Sequence, residues 1–182
     1  MTLNRSLLIP LGVFIVLVVF LALGFGLKDP HLLPSELINK PFPAFALKDL
    51  HDPDRIRTRE DLIGEIALVN VWGTWCPNCV IEHPELLRIS REEGIRIFGI
   101  NYNDDTAKAV VWLERRQDPY VFSIVDDEGR LAIDLGVYGA PETFVIDAKG
   151  VIRFRHVGPV TEDLWHDVLV PVIGLLRDEP DV

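Results

Sequence analysis

The sequence predicts an α/β domain with a mixed central sheet flanked by helices, preceded by an N-terminal transmembrane helix. Nearly continuous apolar runs at residues 66–72 and 95–100 alternate with segments of helical pattern, as expected for central strands covered on both faces. A strand–turn–strand pattern and a last helical segment close the chain, and this order favours a mixed sheet. An uncharged run of 21 residues opens the chain.

The N-terminal run, residues 7–27, is long enough to cross the hydrocarbon core of a bilayer as a helix. Arg5 precedes it and Lys28 follows it, so the positive-inside rule places residues 1–6 in the cytoplasm and the rest of the chain outside. A cleaved signal peptide is the alternative, because residues 22–24 resemble a small-x-small cleavage site. The apolar run continues past that site, which favours an uncleaved signal anchor. Under both interpretations the rest of the chain is exported from the cytoplasm.

Residues 28–40 are predicted to be a tether, and residues 41–182 the folded domain. Pro30 and Pro34 interrupt regular structure in the tether. An edge strand, in which proline is tolerated, is expected over residues 41–47, and a short helix at residues 59–63.

From there the domain alternates strands and helices. The strand at residues 66–72 leads into a helix over residues 77–93, which Pro84 should kink because proline removes one helical hydrogen bond. The remaining predicted elements are a strand at 95–100, a helix at 105–116, a strand at 122–125, a short helix at 129–135, a hairpin of 143–146 and 151–157 around a turn at 148–150, and a last helix at 162–176 that is interrupted or bent near Pro171.

Charge limits the classes of partner. The chain has 18 basic and 28 acidic residues, a net charge of −10, so nucleic acid is not an expected partner. No glycine-rich phosphate motif is present, and a nucleotide cofactor is therefore not supported. The acidic pairs at residues 104–105 and 126–127 are most simply interpreted as solvated loop residues.

Cys76 and Cys79 are the only cysteines, and two residues separate them. They follow the strand at residues 66–72 and begin the helix at residues 77–93, where peptide N–H groups and the helix dipole favour the thiolate of the first sulfur. Pro77 suits the first helical turn, where no backbone donor is needed. A sulfur pair this close can form and open a disulfide without moving the fold, so the pattern predicts a thiol–disulfide exchange site whose only redox group is the Cys76–Cys79 disulfide.

Two other interpretations of the cysteine pair are less favoured. A structural disulfide usually closes a longer loop, because the stabilisation grows with loop length. A zinc site needs about four ligands, and His83 is the only nearby candidate for a third, so no metal is expected.

Three motifs resemble exported thioredoxin-fold proteins over residues 41–175. Residues 75–79, WCPNC, resemble a thioredoxin-type active site, and Glu82 and Pro84 follow as in exported thioredoxin-like reductases. Residues 136–144, GVYGAPETF, resemble the signature of the CcmG/DsbE family of cytochrome c maturation. The resemblance implies a thioredoxin-like fold and a membrane-anchored thiol:disulfide oxidoreductase.

The resemblance also implies site roles beyond the two cysteines. Pro141 would have a cis peptide bond and face the dithiol, and Ala140 and Pro141 would offer backbone groups to a substrate peptide. Glu82, if buried, would oppose a second negative charge on Cys79 and shuttle its proton, although a surface glutamate is an equal interpretation from the sequence alone. Glu142 would select the substrate or tune the thiols. Trp75 would form an apolar rim beside Pro77, and His83 is expected to be a partly exposed helix residue.

The family resemblance further implies partners and a compartment. The substrate would be the oxidised CxxCH motif of apocytochrome c, or a maturation partner that holds it, and electrons would come from a membrane thiol reductase of the DsbD or CcdA type. The protein would cross the bacterial inner membrane once, with its catalytic domain in the periplasm. A general exported thiol reductase is the alternative function. A metal carrier is less favoured, because exported carriers of this fold use CxxxC rather than CxxC.

Overall fold

The computed structural model describes residues 5–25 and 37–179, and within the first range the side chains of residues 10–21. The chain divides into two compact units, of which the first contains helix α1 (Arg5–Phe25) and the second contains all other described elements. Helix α1 has one internal proline, Pro10, and no acidic residue in its first turn. In the described part of the chain, no helix meets the combination of length and apolar character that a membrane crossing requires. The predicted anchor at residues 7–27 is therefore not confirmed, and most of the predicted tether lies outside the described residues.

Five strands of the second unit form one mixed sheet in the order β5-β4-β3-β6-β7. These strands are β3 (Ala67–Trp72), β4 (Arg96–Tyr102), β5 (Phe122–Asp126), β6 (Glu142–Ile146) and β7 (Ile152–Val157). Strand β3 is central and pairs in parallel with β4 and antiparallel with β6, while β6 and β7 form the predicted hairpin. All six residues of β3 are buried, as its apolar sequence predicts.

The sheet separates two apolar cores, because successive side chains of a strand point to opposite faces. One core contains Leu68 and Trp72 of β3 together with Cys76, Cys79 and Leu86. The other core lies on the opposite face. It contains Val69, Val71, Phe98, Ile100, Phe144 and Ile146. The dithiol thus belongs to the first core.

Helices cover the sheet and follow the predicted order. They are α2 (Pro77–Arg88), α3 (Thr106–Arg116), α4 (Arg130–Asp134), α5 (Glu162–Leu164) and α6 (Val170–Asp178). Asp105 caps α3 by accepting a hydrogen bond from the Lys108 N–H at 3.0 Å. The mixed sheet flanked by helices confirms the predicted α/β architecture.

Two helices depart from regular α geometry. Helix α2 retains Pro84 inside it and continues as a π-helical turn at Ile89–Glu93. The last helix contains a second π-helical turn, Trp165–Leu169, between α5 and α6, with Pro171 in the first turn of α6. The predicted bend near Pro171 is thus an interruption placed just before the proline.

The predicted edge strand at residues 41–47 is wrong in its bounds. Strand β1 (Ala46–Lys48) pairs antiparallel with β2 (Ile56–Thr58) in a separate two-stranded sheet. Pro41 forms only an isolated bridge to Val151, and Phe42 is buried in the second core. The short helix expected at residues 59–63 is present as a 3-10 turn, Arg59–Leu62.

Candidate active site

The two cysteines form a disulfide at the N-terminus of α2, directly after β3. Cys76 is the N-cap residue, and its sulfur accepts a hydrogen bond from the Cys79 N–H at 3.0 Å. Pro77 occupies the first turn, as predicted. Both cysteines are only 2% exposed, and their Cα atoms are 5.3 Å apart. The helix terminus thus directs a peptide N–H at the sulfur that the sequence predicts to be the nucleophile.

Trp75 forms an exposed rim beside the disulfide, with 48% of its surface accessible. Its indole Nε1 donates to the Tyr102 carbonyl at 3.1 Å, and its ring meets the Tyr102 ring edge-on at 6.2 Å. These contacts fix the ring on the end of β4 while leaving one face open. The arrangement suits an apolar contact with a polypeptide, as the sequence predicts for Trp75.

Asp104 holds the loop between β3 and Cys76. Its carboxylate accepts hydrogen bonds from the Thr74 N–H and the Thr74 hydroxyl, each at 2.6 Å, and from Asn101 at 2.9 Å. Burial acts to raise the pKa of Asp104, but the hydrogen bonds from Thr74, Asn101 and Asp105 outweigh it and lower the pKa below its usual value. The interpretation of Asp104 as a solvated loop residue is therefore wrong.

The second acidic pair also contains a structural residue. Asp126 is 1% exposed and accepts hydrogen bonds from the N–H groups of Leu131 and Ala132 at the start of α4. The interpretation of Asp126 as a solvated loop residue is therefore wrong, because its carboxylate is buried and accepts hydrogen bonds from within the fold.

Glu82 is buried, which resolves the alternative that the sequence left open. It is 1% exposed and lies one helical turn beyond Cys79. Its Oε1 accepts from the Asn70 side-chain amide and its Oε2 from the Val160 N–H, both at 3.0 Å. Burial raises the pKa of Glu82 to about 7, against the opposing effect of the two hydrogen bonds. A carboxyl group that titrates near neutral pH can hold or release a proton beside the dithiol.

The Ala140–Pro141 peptide bond is cis. Ala140 packs against the core cluster that contains both cysteines, which brings this segment to the dithiol side of the sheet. The Pro141 carbonyl accepts a hydrogen bond from the Gly158 N–H at 3.0 Å. The Pro141 carbonyl is therefore already used within the fold, whereas Ala140 is only half-buried, and the offer of backbone groups to a substrate stays a prediction.

Glu142 lies on the other face of the sheet from Thr143, because the two are successive residues of β6. It is 1% exposed and forms a buried ion pair with Arg155 of β7, at 2.6 Å to the guanidinium Nη2. Burial raises the pKa of Glu142, and Arg155 and the Tyr138 N–H oppose that rise. The structure thus does not join Glu142 to the Glu82 cluster, and its role toward substrate stays a prediction.

His83 is buried rather than partly exposed, so that expectation is wrong. Its Nε2 lies 2.9 Å from the Gln117 carbonyl and 3.2 Å from the Arg116 carbonyl, and its ring packs edge-on against Trp112. Burial lowers the pKa of His83. Among the residues that the structure describes, no group of three or more His, Cys, Asp and Glu side chains is arranged to hold a metal ion.

Sequence reasoning missed the polar partners of Glu82. Asn70 interrupts the apolar run of β3, and Thr143 lies opposite it in β6. Tyr120 donates its hydroxyl to the Asn70 Oδ1 at 2.8 Å. The signal in the sequence was the single amide within an otherwise apolar central strand, since a buried polar group requires partners.

Comparisons with known proteins identify the family. The family profile described as Redoxin matches residues 37–169. The thiol:disulfide interchange protein DsbE of Pseudomonas aeruginosa is 54% identical over 175 residues, with 96% of each chain covered. DsbE of Escherichia coli K12 is 43% identical over 174 residues, covering 93% of this chain and 94% of the relative.

Solved structures support the fold. A crystal structure of a DsbE-type protein from Chlorobium tepidum superposes with a TM-score of 0.63 at 22% identity, covering 75% of this chain and 98% of that one. A secreted thiol-disulfide isomerase from Corynebacterium glutamicum gives a TM-score of 0.66 at 23% identity, with coverages of 81% and 96%. The family resemblance seen in the sequence is thereby confirmed: the chain belongs to the DsbE (CcmG) family of redoxin-domain thiol:disulfide interchange proteins, and it is a thiol:disulfide oxidoreductase.

Proposed function

We propose that this oxidoreductase acts as a reductant in c-type cytochrome maturation. Its substrate is the oxidised CxxCH motif of apocytochrome c, or a maturation partner that holds this motif. The observation that supports a reducing role is the buried Glu82, one turn beyond Cys79, with its pKa raised to about 7. A carboxylate there disfavours a neighbouring thiolate, whereas a strong oxidant stabilises its reduced form. The GVYGAPETF motif supports the cytochrome assignment.

The reaction transfers two electrons through the dithiol. The Cys76 thiolate attacks one sulfur of the substrate disulfide, and the other substrate sulfur leaves as a thiolate that takes up a proton. Cys79, after losing its proton, attacks the Cys76 sulfur of this mixed disulfide and releases the second substrate thiol. The enzyme is left as the Cys76–Cys79 disulfide, which is the state that the structure contains. A second exchange with an upstream dithiol then reduces this disulfide and restores the Cys76–Cys79 dithiol.

The surface around the disulfide supports a polypeptide substrate. Trp75 offers an exposed apolar face, and Ala140 lies on the same side of the sheet. A groove of about 800 Å³ extends from Thr74 along α3, where Val111 and Trp112 line it. Lys108, Arg115 and Arg116 also line this cleft, so its size and mixed apolar and basic walls suit several side chains of a docked segment.

The proposal includes a location and an electron donor. Residues 7–27 anchor the protein in the bacterial inner membrane, supported by their uncharged sequence. Residues 1–6 stay in the cytoplasm, and the catalytic domain lies in the periplasm. A membrane thiol reductase of the DsbD or CcdA type then supplies electrons. Carbonate extraction of membranes tests the anchor: the protein should stay in the pellet with Leu7 still present by N-terminal sequencing, and a soluble chain starting near Phe25 would contradict the anchor.

Trapping tests the substrate. A Cys79→Ser variant retains the attacking sulfur but cannot resolve the mixed disulfide, so it should accumulate an adduct through Cys76, and mass spectrometry should identify an apocytochrome c, a maturation partner or the upstream reductase. Cys76→Ser is the matched control and should accumulate little. If Cys79→Ser traps only unrelated exported proteins, and a deletion strain still makes normal c-type cytochromes, the cytochrome assignment is wrong and a general exported reductase remains.

A further inference from the structure

Four polar side chains are enclosed together where β3, α2 and β6 meet. Asn70, Thr143 and Glu82 are each 1% exposed or less, and Tyr120 is 9% exposed. We name these four residues the buried amide network, because the Asn70 side chain joins the other three. The proposed reducing role described above uses only Glu82 of this set.

The Asn70 amide uses both of its ends. Its Nδ2 donates to the Glu82 Oε1 and to the Thr143 Oγ1, each at 3.0 Å. Its Oδ1 accepts the Tyr120 hydroxyl at 2.8 Å. The register of the sheet explains why Asn70 and Thr143 meet, since they are paired Cα partners across β3 and β6.

Tyr120 and Glu82 lie at opposite ends of the Asn70 amide and both bear on which way it faces. Burial raises the pKa of Tyr120 well above its usual value, so the phenol stays protonated and acts as a donor toward the Asn70 oxygen. Turning the amide by half a rotation would direct its NH₂ at this hydroxyl and its oxygen at the Glu82 carboxylate. The Tyr120 hydroxyl could accept from the NH₂, but the amide oxygen would face an ionised carboxylate that only accepts, so ionised Glu82 keeps the N–H side of Asn70 toward it.

We propose that Asn70 is a positioning residue for thiol–disulfide exchange, whose amide is held by hydrogen bonds with Tyr120 and Thr143 so that it stabilises the negative charge of Glu82 one turn from Cys79. The side-chain hydrogen bonds described for Asn70 go to Glu82, Thr143 and Tyr120, so Asn70 acts through Glu82. The proposal rests on the oxidoreductase activity and is independent of the cytochrome assignment.

The surroundings of Glu82 contain few groups that could mask this effect. Helix α2 contributes Cys79, and the segment before β5 contributes Tyr120, with Asp118 also acting on Tyr120. Strand β3 contributes Asn70, β6 contributes Thr143, and the segment before α5 contributes the Val160 N–H, none of which titrates. In the oxidised protein Cys79 does not titrate either, so the Glu82 carboxyl can be followed directly.

Tyr120→Phe is the sharpest test, because it keeps the ring that stacks on Trp72 at 5.6 Å and removes only the hydroxyl. In the oxidised full-length protein, the ¹³C resonance of the Glu82 carboxyl, assigned with Glu82→Gln, should titrate about half a pH unit or more above wild type, because ionised Glu82 loses a fixed donor. Asn70→Asp removes the donor itself and adds a like charge, so its shift should be larger. In the reduced protein, the pH dependence of the rate of dithiol alkylation should shift in the same variants that shift the Glu82 titration.

Ser123→Ala is the matched control, since it removes a buried hydroxyl of β5 that has no hydrogen-bond partner among the described residues. It should leave the Glu82 titration unchanged. An unaltered Glu82 titration in folded Tyr120→Phe, or an equal shift in Ser123→Ala, would overturn the role of Asn70. Such a failure would leave mixed-disulfide trapping by Cys79→Ser intact, so it is distinguishable from failure of the proposed function.

Discussion

The backbone N–H of Val160 donates a hydrogen bond to the Oε2 of Glu82 at 3.0 Å, although 78 residues separate the two in sequence. The contact connects the segment before α5 to the helix that bears the dithiol. It gives the buried carboxylate a donor that a side-chain substitution at residue 160 would not remove. Glu82 is therefore constrained from both sides, by β3 through Asn70 and by the chain after β7 through Val160.

Glu82 should make the stability of the protein fall as the pH rises. Its pKa in the folded protein is about 7, against an ordinary value of 4.5, so the folded state retains a proton that the unfolded state releases. The favourable contribution of this retained proton to the free energy of unfolding is complete below pH 4.5 and is lost as the pH rises to about 7. The loss is on the order of 3 kcal/mol of unfolding free energy. Glu82→Gln should flatten this slope in urea unfolding of the oxidised protein between pH 4.5 and 7.5.

The exposed Glu92 offers the matched control for this measurement. Glu92→Gln should keep the wild-type slope. Parallel profiles for wild type and Glu82→Gln would show that the carboxyl ionises as easily in the folded protein as in the unfolded chain.

Asp104→Asn should loosen the loop that leads into the active site. Asp104 accepts two hydrogen bonds from Thr74, and its pKa in the folded protein is below its ordinary value. Its stabilisation is therefore present above about pH 3.8, the ordinary value, and is lost as the pH falls through the lower folded pKa. At pH 7 the variant should lose roughly 1–3 kcal/mol of unfolding free energy, and the difference should shrink at acid pH. Denaturant unfolding of wild type and variant at pH 7 and pH 3 measures the loss and its decrease at acid pH.

Asp127 provides the control, since it is exposed and accepts only from its neighbour Glu128 among the described contacts. Asp127→Asn should change stability by less than about 0.5 kcal/mol. Equal losses in the two variants would mean that Asp104 contributes nothing specific to the loop.

Arg155→Met should leave Glu142 as a buried charge without its partner. Glu142 is 1% exposed and its pKa is already raised by burial, so loss of the guanidinium should raise it further. The variant should lose on the order of 3 kcal/mol of unfolding free energy at pH 8, and less at pH 5, where the Glu142 carboxyl can take up a proton. Thermal unfolding at both pH values measures it. Adding Glu142→Gln should recover part of the loss at pH 8, and an Arg155→Met penalty that is independent of pH would contradict the ion-pair explanation.

Much of the fold could be predicted because its central strands are uniformly apolar. Strand β3 and the Cys76–Cys79 pair that follows it position the dithiol at the start of α2 from sequence alone. The β1–β2 hairpin could not be predicted, because each strand has three residues and none of them is fully buried, so no periodic signal exists.

The site was harder to predict where its contacts are long-range. The burial of Glu82 depends on Asn70 and on Val160, which lie on other elements. Asp104 looked like a loop residue because its donor, Thr74, is 30 residues away. Hydrophobic periodicity reports which face of an element is buried, and it does not report which distant donor a carboxylate will meet.

The dithiol should be a reductant whose potential depends on Glu82. The Glu82 carboxylate opposes thiolate formation at Cys79, so the reduced form should lack the unusual stability that makes an oxidant. We expect a potential of roughly −200 to −270 mV at pH 7, rather than the roughly −120 mV of a strong oxidant. Glu82→Gln removes the opposing charge and should raise the potential by roughly 30 mV, which corresponds to about 1.4 kcal/mol. Equilibration with glutathione or dithiothreitol buffers measures both values, and Glu92→Gln should match wild type. A wild-type potential near −120 mV would contradict the reducing role, and an unchanged potential in Glu82→Gln would separate Glu82 from the redox chemistry.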